Sequence, residues 1–326
     1  MAKDLYLQAV RGIAIVAVVL IHCLPQEAAS VALRPFLNFA VAAFIFLSGY
    51  LTPREKTANA TSFLRRRVGK IAAPYIVWTI LYLFASGTFS PAPVFYAFVV
   101  GGGSWQMYYL VVYLQLVLLT PWLFRMLDRT AVRAALYAVM PVTLVFRYTL
   151  SVAGLSLPIQ AFCGSWLVFY LLGLEWRDRI GPWLHRRSID SKHAPVALLA
   201  CLALQEIESF AWFFAGNYDL ATTQLKATSM LTSVCACAVI ALAAESVRQR
   251  LASCTPLVRL GDLSFGVYLC HMAVLMVFSK GFEIVGLAGF APSFALWLFV
   301  LAASAVFVAL CQRFLPKRVL TVIGFV

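Results

Sequence analysis

The sequence predicts an all-α fold: a polytopic transmembrane helix bundle of about ten spans with both termini cytoplasmic. Three observations carry that prediction. Of the 326 residues, 63% are hydrophobic and only 12% charged, against about 25% charged in ordinary globular domains, and the mean hydropathy is +0.88. Apolar runs of about twenty residues, the length that crosses the hydrocarbon of a bilayer, recur along the chain. The cations are also unevenly placed. With the N-terminus inside, 21 of the 26 Lys and Arg fall on the inner side and Arg11 lies in the first span. Only Arg34, Arg147, Lys226 and Lys280 fall outside, which is a strong positive-inside asymmetry.

The spans are predicted at residues 5–24, 36–52, 72–88, 106–124, 134–152, 164–176, 194–215, 227–246, 262–280 and 293–312. The first is read as an uncleaved span, because Arg11 interrupts the apolar stretch that a signal peptide would need and Asp4 weakens its basic start. In the second, Ser48 before Gly49 permits close helix packing. Phe63–Pro74 brings Arg65, Arg66, Arg67 and Lys70 to the inner surface ahead of the third span. Residues 86–105 read as an outer loop, with Val94–Val100 apolar enough to lie in the interface or re-enter. Gly101–Gly103 lacks the sequence context of a phosphate loop and serves to turn the chain into the fourth span. The sixth span is short. Asp262, after Gly261, reads as the N-cap of the ninth.

No internal repeat or low-complexity tract breaks the pattern, and residues 1–326 read as a single transmembrane domain. The eight cysteines are scattered without CxxC spacing or a neighbouring zinc-type histidine, so they read as buried apolar residues. No metal site is expected. The net charge of +13 is explained by topology and by anionic lipid, so the bilayer is the implied partner and nucleic acid is not.

The first span holds the most informative pair. Arg11 and His22 are eleven residues apart, about 1100° of helix, so both project from one face with Ile15 and Val18 between them, about 16 Å apart along the axis. Ionisable groups within a span are costly and face a protein interior or a watery cavity. Arg11, about one turn inside, can alternatively extend its side chain to the inner headgroups.

Five segments resemble one family. RGIAIVAVVLIH has an Arg-x10-His signature and FIFLSGYL a Ser-Gly-Tyr-Leu element. FLRRRVGKIAAPYIVW is a basic loop leading to Pro-Tyr and Trp, SWQMYYLVVYL a Trp-containing fourth span, and LGDLSFGVYLCH a late element ending in His. In this order they resemble the acyltransferase-3 family of integral membrane O-acyltransferases over essentially the whole chain. Gln106 and Met107 depart from the Phe-Leu common there, and Phe265 from a common Tyr. The extracytoplasmic hydrolase-like domain of some members is not seen, so no second transfer by such a domain is expected.

The resemblance implies acyl transfer across a bilayer, in the bacterial inner membrane. The group, usually acetyl, passes from cytoplasmic acyl-CoA to a hydroxyl of a surface or secreted polysaccharide at the outer face. It implies acetyl-CoA as co-substrate and no permanently bound cofactor. Arg65, Arg66, Arg67 and Lys70 then suit the phosphates of coenzyme A, although any cytoplasmic loop is basic. Arg11 would hold the phosphates or the pantetheine arm, whose reach resembles the Arg11–His22 spacing. His22 would meet the thioester, as general base or as nucleophile carrying the acyl group.

Supporting candidates are less sharply defined. His271 shares a helix face with Tyr268 and Ser264 and reads equally as a site residue or a structural histidine. Glu206 and Glu208, about 200° apart on their helix, point to nearly opposite sides. Glu208 shares a face with Gln205 and Trp212, a stripe suited to a sugar, and Glu206 shares one with Ser209 and Phe213. Glu27 is a third carboxylate able to orient the imidazole. Trp105 can stack on a sugar or anchor in the interface belt. On composition alone the rival is a secondary transporter with a His/Glu proton relay. A second rival is acylation of a lipid or small molecule. The acceptor and the oligomeric state carry no signature in the sequence.

Overall fold

The computed structural model describes residues 3–188 and 191–326. In chain order the helices are α1 (Leu5–Cys23), α2 (Ala28–Leu37), α3 (Phe39–Tyr50), α4 (Ala60–Ser86), α5 (Pro91–Val100), α6 (Tyr108–Met126), α7 (Thr130–Val152) and α8 (Leu167–Glu175). They continue as α9 (Gly181–Arg186), α10 (His193–Phe214), α11 (Tyr218–Thr222), α12 (Ala227–Ala241), α13 (Glu245–Ala252), α14 (Thr255–Ile284), α15 (Phe290–Phe314) and α16 (Lys317–Ile323). Among the described residues there is no strand, and nine helical stretches are long and apolar enough to cross a membrane.

The predicted sixth span, 164–176, is a composite: a 3₁₀ turn over Cys163–Trp166, then α8, then a π turn over Trp176–Ile180. The helical stretches that hold the second and eighth predicted spans begin earlier than those spans, at Ala28 and Tyr218. Arg34 lowers the hydropathy of the former, but the Ile21 and Thr222 carbonyls receive it and helix continues past it. Lys226 instead stands in the extended break between α11 and α12, received by the Ser209 hydroxyl and the Ala221 carbonyl. Residues 86–105, read as an outer loop, contain α5, whose Pro91 sits in the first turn, where no intrahelical N–H is needed.

Contacts divide the chain into two compact units, residues 1–44 with 179–314 and residues 45–178 with 315–326. In the first, α1 packs lengthwise against α14, with α15, α13 and α2 also against α1; α10 packs against α12 and α2. Glycine makes the α1–α14 seam close. A Cβ on Gly12 would lie 3.0 Å from the Leu257 carbonyl carbon, and one on Gly261 2.7 Å from that of Gln8, so the two backbones meet directly. The Asp4 side chain caps α1 by accepting the Leu7 N–H. Tyr6 donates its hydroxyl to the Ile240 carbonyl at 2.6 Å, and Trp297 its indole N–H to the Val16 carbonyl at 3.2 Å. Asp262 is not an N-cap: Pro256 starts α14 two turns earlier, and the Asp262 carboxylate pairs with Lys3 at 2.5 Å.

In the second unit, α4 runs against α6, α5 and α16. Tyr75 donates its hydroxyl to the Ala97 and Phe98 carbonyls at 2.9 Å, and Trp78 its indole N–H to the Ile323 carbonyl at 3.0 Å. Gly49, beside Ser48, meets the backbone of Gly173, the close packing expected of that Ser-Gly pair.

Candidate active site

The α1–α14 seam brings two histidines together. His22 occupies the last turn of α1 and His271 the middle of α14, with ring centres 5.3 Å apart and planes inclined by 45°. Ten residues separate His271 from Gly261, so the close contact of the two backbones sets how near the imidazoles come. His22 is half-buried. His271 is fully buried, and its Nδ1 faces the Val267 and Tyr268 carbonyls at 3.1 and 2.8 Å. Carbonyl oxygens only accept, so Nδ1 carries the proton and Nε2 is the acceptor of this ring. That Nε2 is buried without a hydrogen-bond partner. The Tyr268 ring lies 6.0 Å from the His271 ring. The structure thus places His271 beside His22.

Arg11 is on α1 as the spacing required, half-buried, with its guanidinium 3.5 Å from the Gln8 amide oxygen. At the His22 end lies a polar cluster that hydropathy concealed. Ser30, Arg34 and Asn38 recur every fourth residue along one face of α2 and its end. Arg34 donates to the Ile21 carbonyl at 3.1 Å, next in chain to His22, and to the Thr222 carbonyl at 3.3 Å. Asn38 donates to the Thr222 and Thr223 carbonyls. The i, i+4 spacing was the available signal.

Lys226 is fully buried and donates to the Ser209 hydroxyl at 2.5 Å and the Ala221 carbonyl at 2.6 Å. Gln205 turns its amide to the Ser229 hydroxyl at 2.7 Å. Glu208 accepts from the Thr228 N–H at 3.2 Å, from the Thr228 hydroxyl, and from Trp212 at 3.4 Å. The Glu208–Trp212 side-chain pair exists as the face argument required, but the carboxylate also ties α10 to the first turn of α12. Glu206 differs in keeping one buried carboxylate oxygen without a partner. Glu27 is exposed at the start of α2.

Beside this cluster is a cavity of about 290 Å³ lined by Cys23, Pro25, Ser279, Phe282, Glu283 and the Gly286–Gly289 turn, among others. Its wall begins at the chain neighbour of His22. Glu283 has no signature in the sequence, because one carboxylate near a helix end carries no pattern.

In the second unit, Arg65, Arg66, Arg67 and Lys70 lie on the second and third turns of α4 rather than in a loop. Arg65, Arg66 and Lys70 are exposed; Arg67 contacts the Tyr113 hydroxyl at 3.4 Å and lies over the Phe63 ring. Four cations on consecutive turns repel one another. A cavity of about 310 Å³ bordered by Arg54 and Arg125 also includes Glu55, and Arg54 pairs with Asp128, so its charges balance and it is the weaker anion trap. Trp105 is 82% exposed in the turn before α6.

Nine long apolar helical stretches among the described residues define a polytopic membrane protein, one unit of which holds a histidine pair beside a buried polar cluster. A family profile described as an acyltransferase domain matches residues 4–313, and the chain belongs to this acyltransferase-3 family. It is therefore a membrane acyltransferase, which decides against the proton-relay transporter that composition allowed. No curated protein and no solved structure matches the chain.

Proposed function

We propose that the chain is an O-acyltransferase of the bacterial inner membrane, with both termini cytoplasmic. It takes an acetyl group from cytoplasmic acetyl-CoA and places it on a hydroxyl of a surface or secreted polysaccharide at the outer face. The observation that carries this reading is His22, held at the end of α1 against His271 within the family's domain. An imidazole there can take the acceptor hydroxyl's proton as the oxygen attacks the thioester carbonyl, and return it to the departing coenzyme A thiolate. It can alternatively accept the acyl group first and pass it on.

Arg11, on the same face as His22, lies on the path for the donor arm. Arg65, Arg66, Arg67 and Lys70 are the proposed phosphate contacts: their mutual repulsion falls when an anion binds. For the acceptor, the cavity beside Cys23 offers Ser279 and Glu283 as hydrogen-bonding groups and takes precedence over Glu208, whose oxygens are already engaged. Glu27 and Trp105, both exposed, are proposed as peripheral acceptor contacts.

The test is transfer of radiolabelled acetyl from acetyl-CoA by purified protein in proteoliposomes, offered polysaccharide, lipid and small-molecule acceptors separately. Alkali-labile label on polysaccharide alone is expected. Label confined to lipid or small molecules would replace the proposed acceptor class, and no transfer to any hydroxyl would refute the reading.

A further inference from the structure

We infer that His271 is a positioning residue that fixes the tautomer and orientation of His22, a role that deepens the acyl-transfer reading above and rests on it. The two rings are held differently. His271 is anchored: it is fully buried, and the Val267 and Tyr268 carbonyls hold its Nδ1–H. With the proton fixed on Nδ1, Nε2 presents a lone pair, and this atom is buried with no partner. A histidine present only for packing would leave that acceptor unexplained, because buried polar atoms are nearly always paired.

The adjacent His22 ring can supply the missing donor once it turns. Its ring centre is 5.3 Å from that of His271. Each ring nitrogen lies about 1.1 Å from its ring centre, so nitrogens turned toward one another come to roughly 3.1 Å, hydrogen-bond distance. His22 is half-buried in the last turn of α1, whereas its neighbour is anchored at Nδ1. Rotation of His22 therefore closes the pair, its N–H donating to Nε2 of His271. The other nitrogen of His22 then has no proton and faces away from α14.

This arrangement defines the chemical step. The proton-free nitrogen of His22 takes the acceptor O–H proton while the oxygen forms its bond to the thioester carbonyl carbon. The C–S bond breaks, the thiolate leaves, and the proton passes from His22 to sulfur. His271 gains and loses no proton. It keeps one of the two His22 nitrogens permanently on the substrate side, as the third group of a catalytic triad orients its imidazole.

Three variants separate this role from a structural one. Asn at position 271 supplies a group near Nδ1 for the two carbonyls but none near Nε2. Gln places an amide near Nε2, and Leu supplies neither. In cells relying on the variant, O-acetyl released from polysaccharide by mild alkali should fall about 10- to 100-fold in His271→Asn and His271→Leu, the loss of one hydrogen bond to a group that becomes charged. His271→Gln should recover to within about threefold of wild type, and acetyl-CoA affinity should be unchanged throughout.

Nitrogen-15 spectra of histidine-labelled protein in nanodiscs supply a readout that packing alone would not move. His22 should show one neutral tautomer in wild type and a mixture in His271→Asn. An unchanged His22 tautomer in His271→Asn, or near-wild-type O-acetylation in both His271→Asn and His271→Leu, would overturn the inference. His22→Ala is the control: O-acetylation retained there would refute the acyl-transfer reading itself. Its loss in His22→Ala alongside unaffected position-271 variants would refute only the role of His271.

Discussion

Gly261→Ala should inactivate the protein from a position ten residues away from His271. The added methyl group would lie 2.7 Å from the Gln8 carbonyl carbon and 3.2 Å from the Gln8 Cα. Non-bonded carbons rest at about 3.5–4.0 Å, and the obstructing atoms are backbone that cannot swing aside, so α1 and α14 must part by about 1 Å. Overpacking of this kind costs roughly 1–3 kcal/mol of stability. The larger effect is on chemistry: the same displacement carries His271 away from His22, whose rings now sit 5.3 Å apart, and a misplacement of about 1 Å costs on the order of 100-fold in rate. Gly281→Ala on the same helix is the control. Nothing lies within 4 Å of its added methyl group, and the gain in helix propensity is up to about 1 kcal/mol. Thermal melting in detergent and acetyl transfer in proteoliposomes should show Gly261→Ala impaired in both and Gly281→Ala unimpaired. A Gly261→Ala protein with wild-type melting and turnover would refute the claim that this seam sets the histidine spacing.

Replacing Arg65, Arg66 and Arg67 together by Gln should weaken acetyl-CoA binding about tenfold or more, since charge-assisted contacts to phosphate contribute roughly 1.5–3 kcal/mol each; calorimetry showing unchanged affinity would remove α4 from the donor site. Glu208→Ala should act on stability before catalysis. It strips acceptors from the Thr228 N–H, the Thr228 hydroxyl and the Trp212 N–H, at a cost of about 1–3 kcal/mol. Melting should fall while acetyl-CoA affinity holds, and a selective loss of acceptor use without a change in melting would restore Glu208 to the acceptor site.

The helical class and most spans were legible because hydropathy reports length and composition directly, and the face shared by Arg11 and His22 followed from helix geometry. What hydropathy misjudged were segments with internally satisfied polar groups. Arg34 read as a loop cation because the sequence does not show the Ile21 and Thr222 carbonyls that receive it within α2. Lys226 does stand in the break before α12, and what the sequence hid is its burial against the Ser209 hydroxyl and the Ala221 carbonyl. Asp262 read as a cap because glycine precedes it, whereas Gly261 serves the approach of two helices. Helix geometry set Glu206 and Glu208 about 200° apart, but only tertiary contacts reveal that Glu208 engages Thr228 at the start of α12. The proximity of His22 to His271, 249 positions apart in sequence, depends on two glycines on two helices, a pairing that no local pattern encodes.

The most direct measurement of the central claim compares His22→Ala with wild type for donor binding and acetyl transfer in one reconstituted preparation. His22→Ala should give a folded protein that binds acetyl-CoA with wild-type affinity and transfers no acetyl group. Transfer at near-wild-type rate by His22→Ala would contradict it, because the acceptor's proton would then leave without the imidazole of His22.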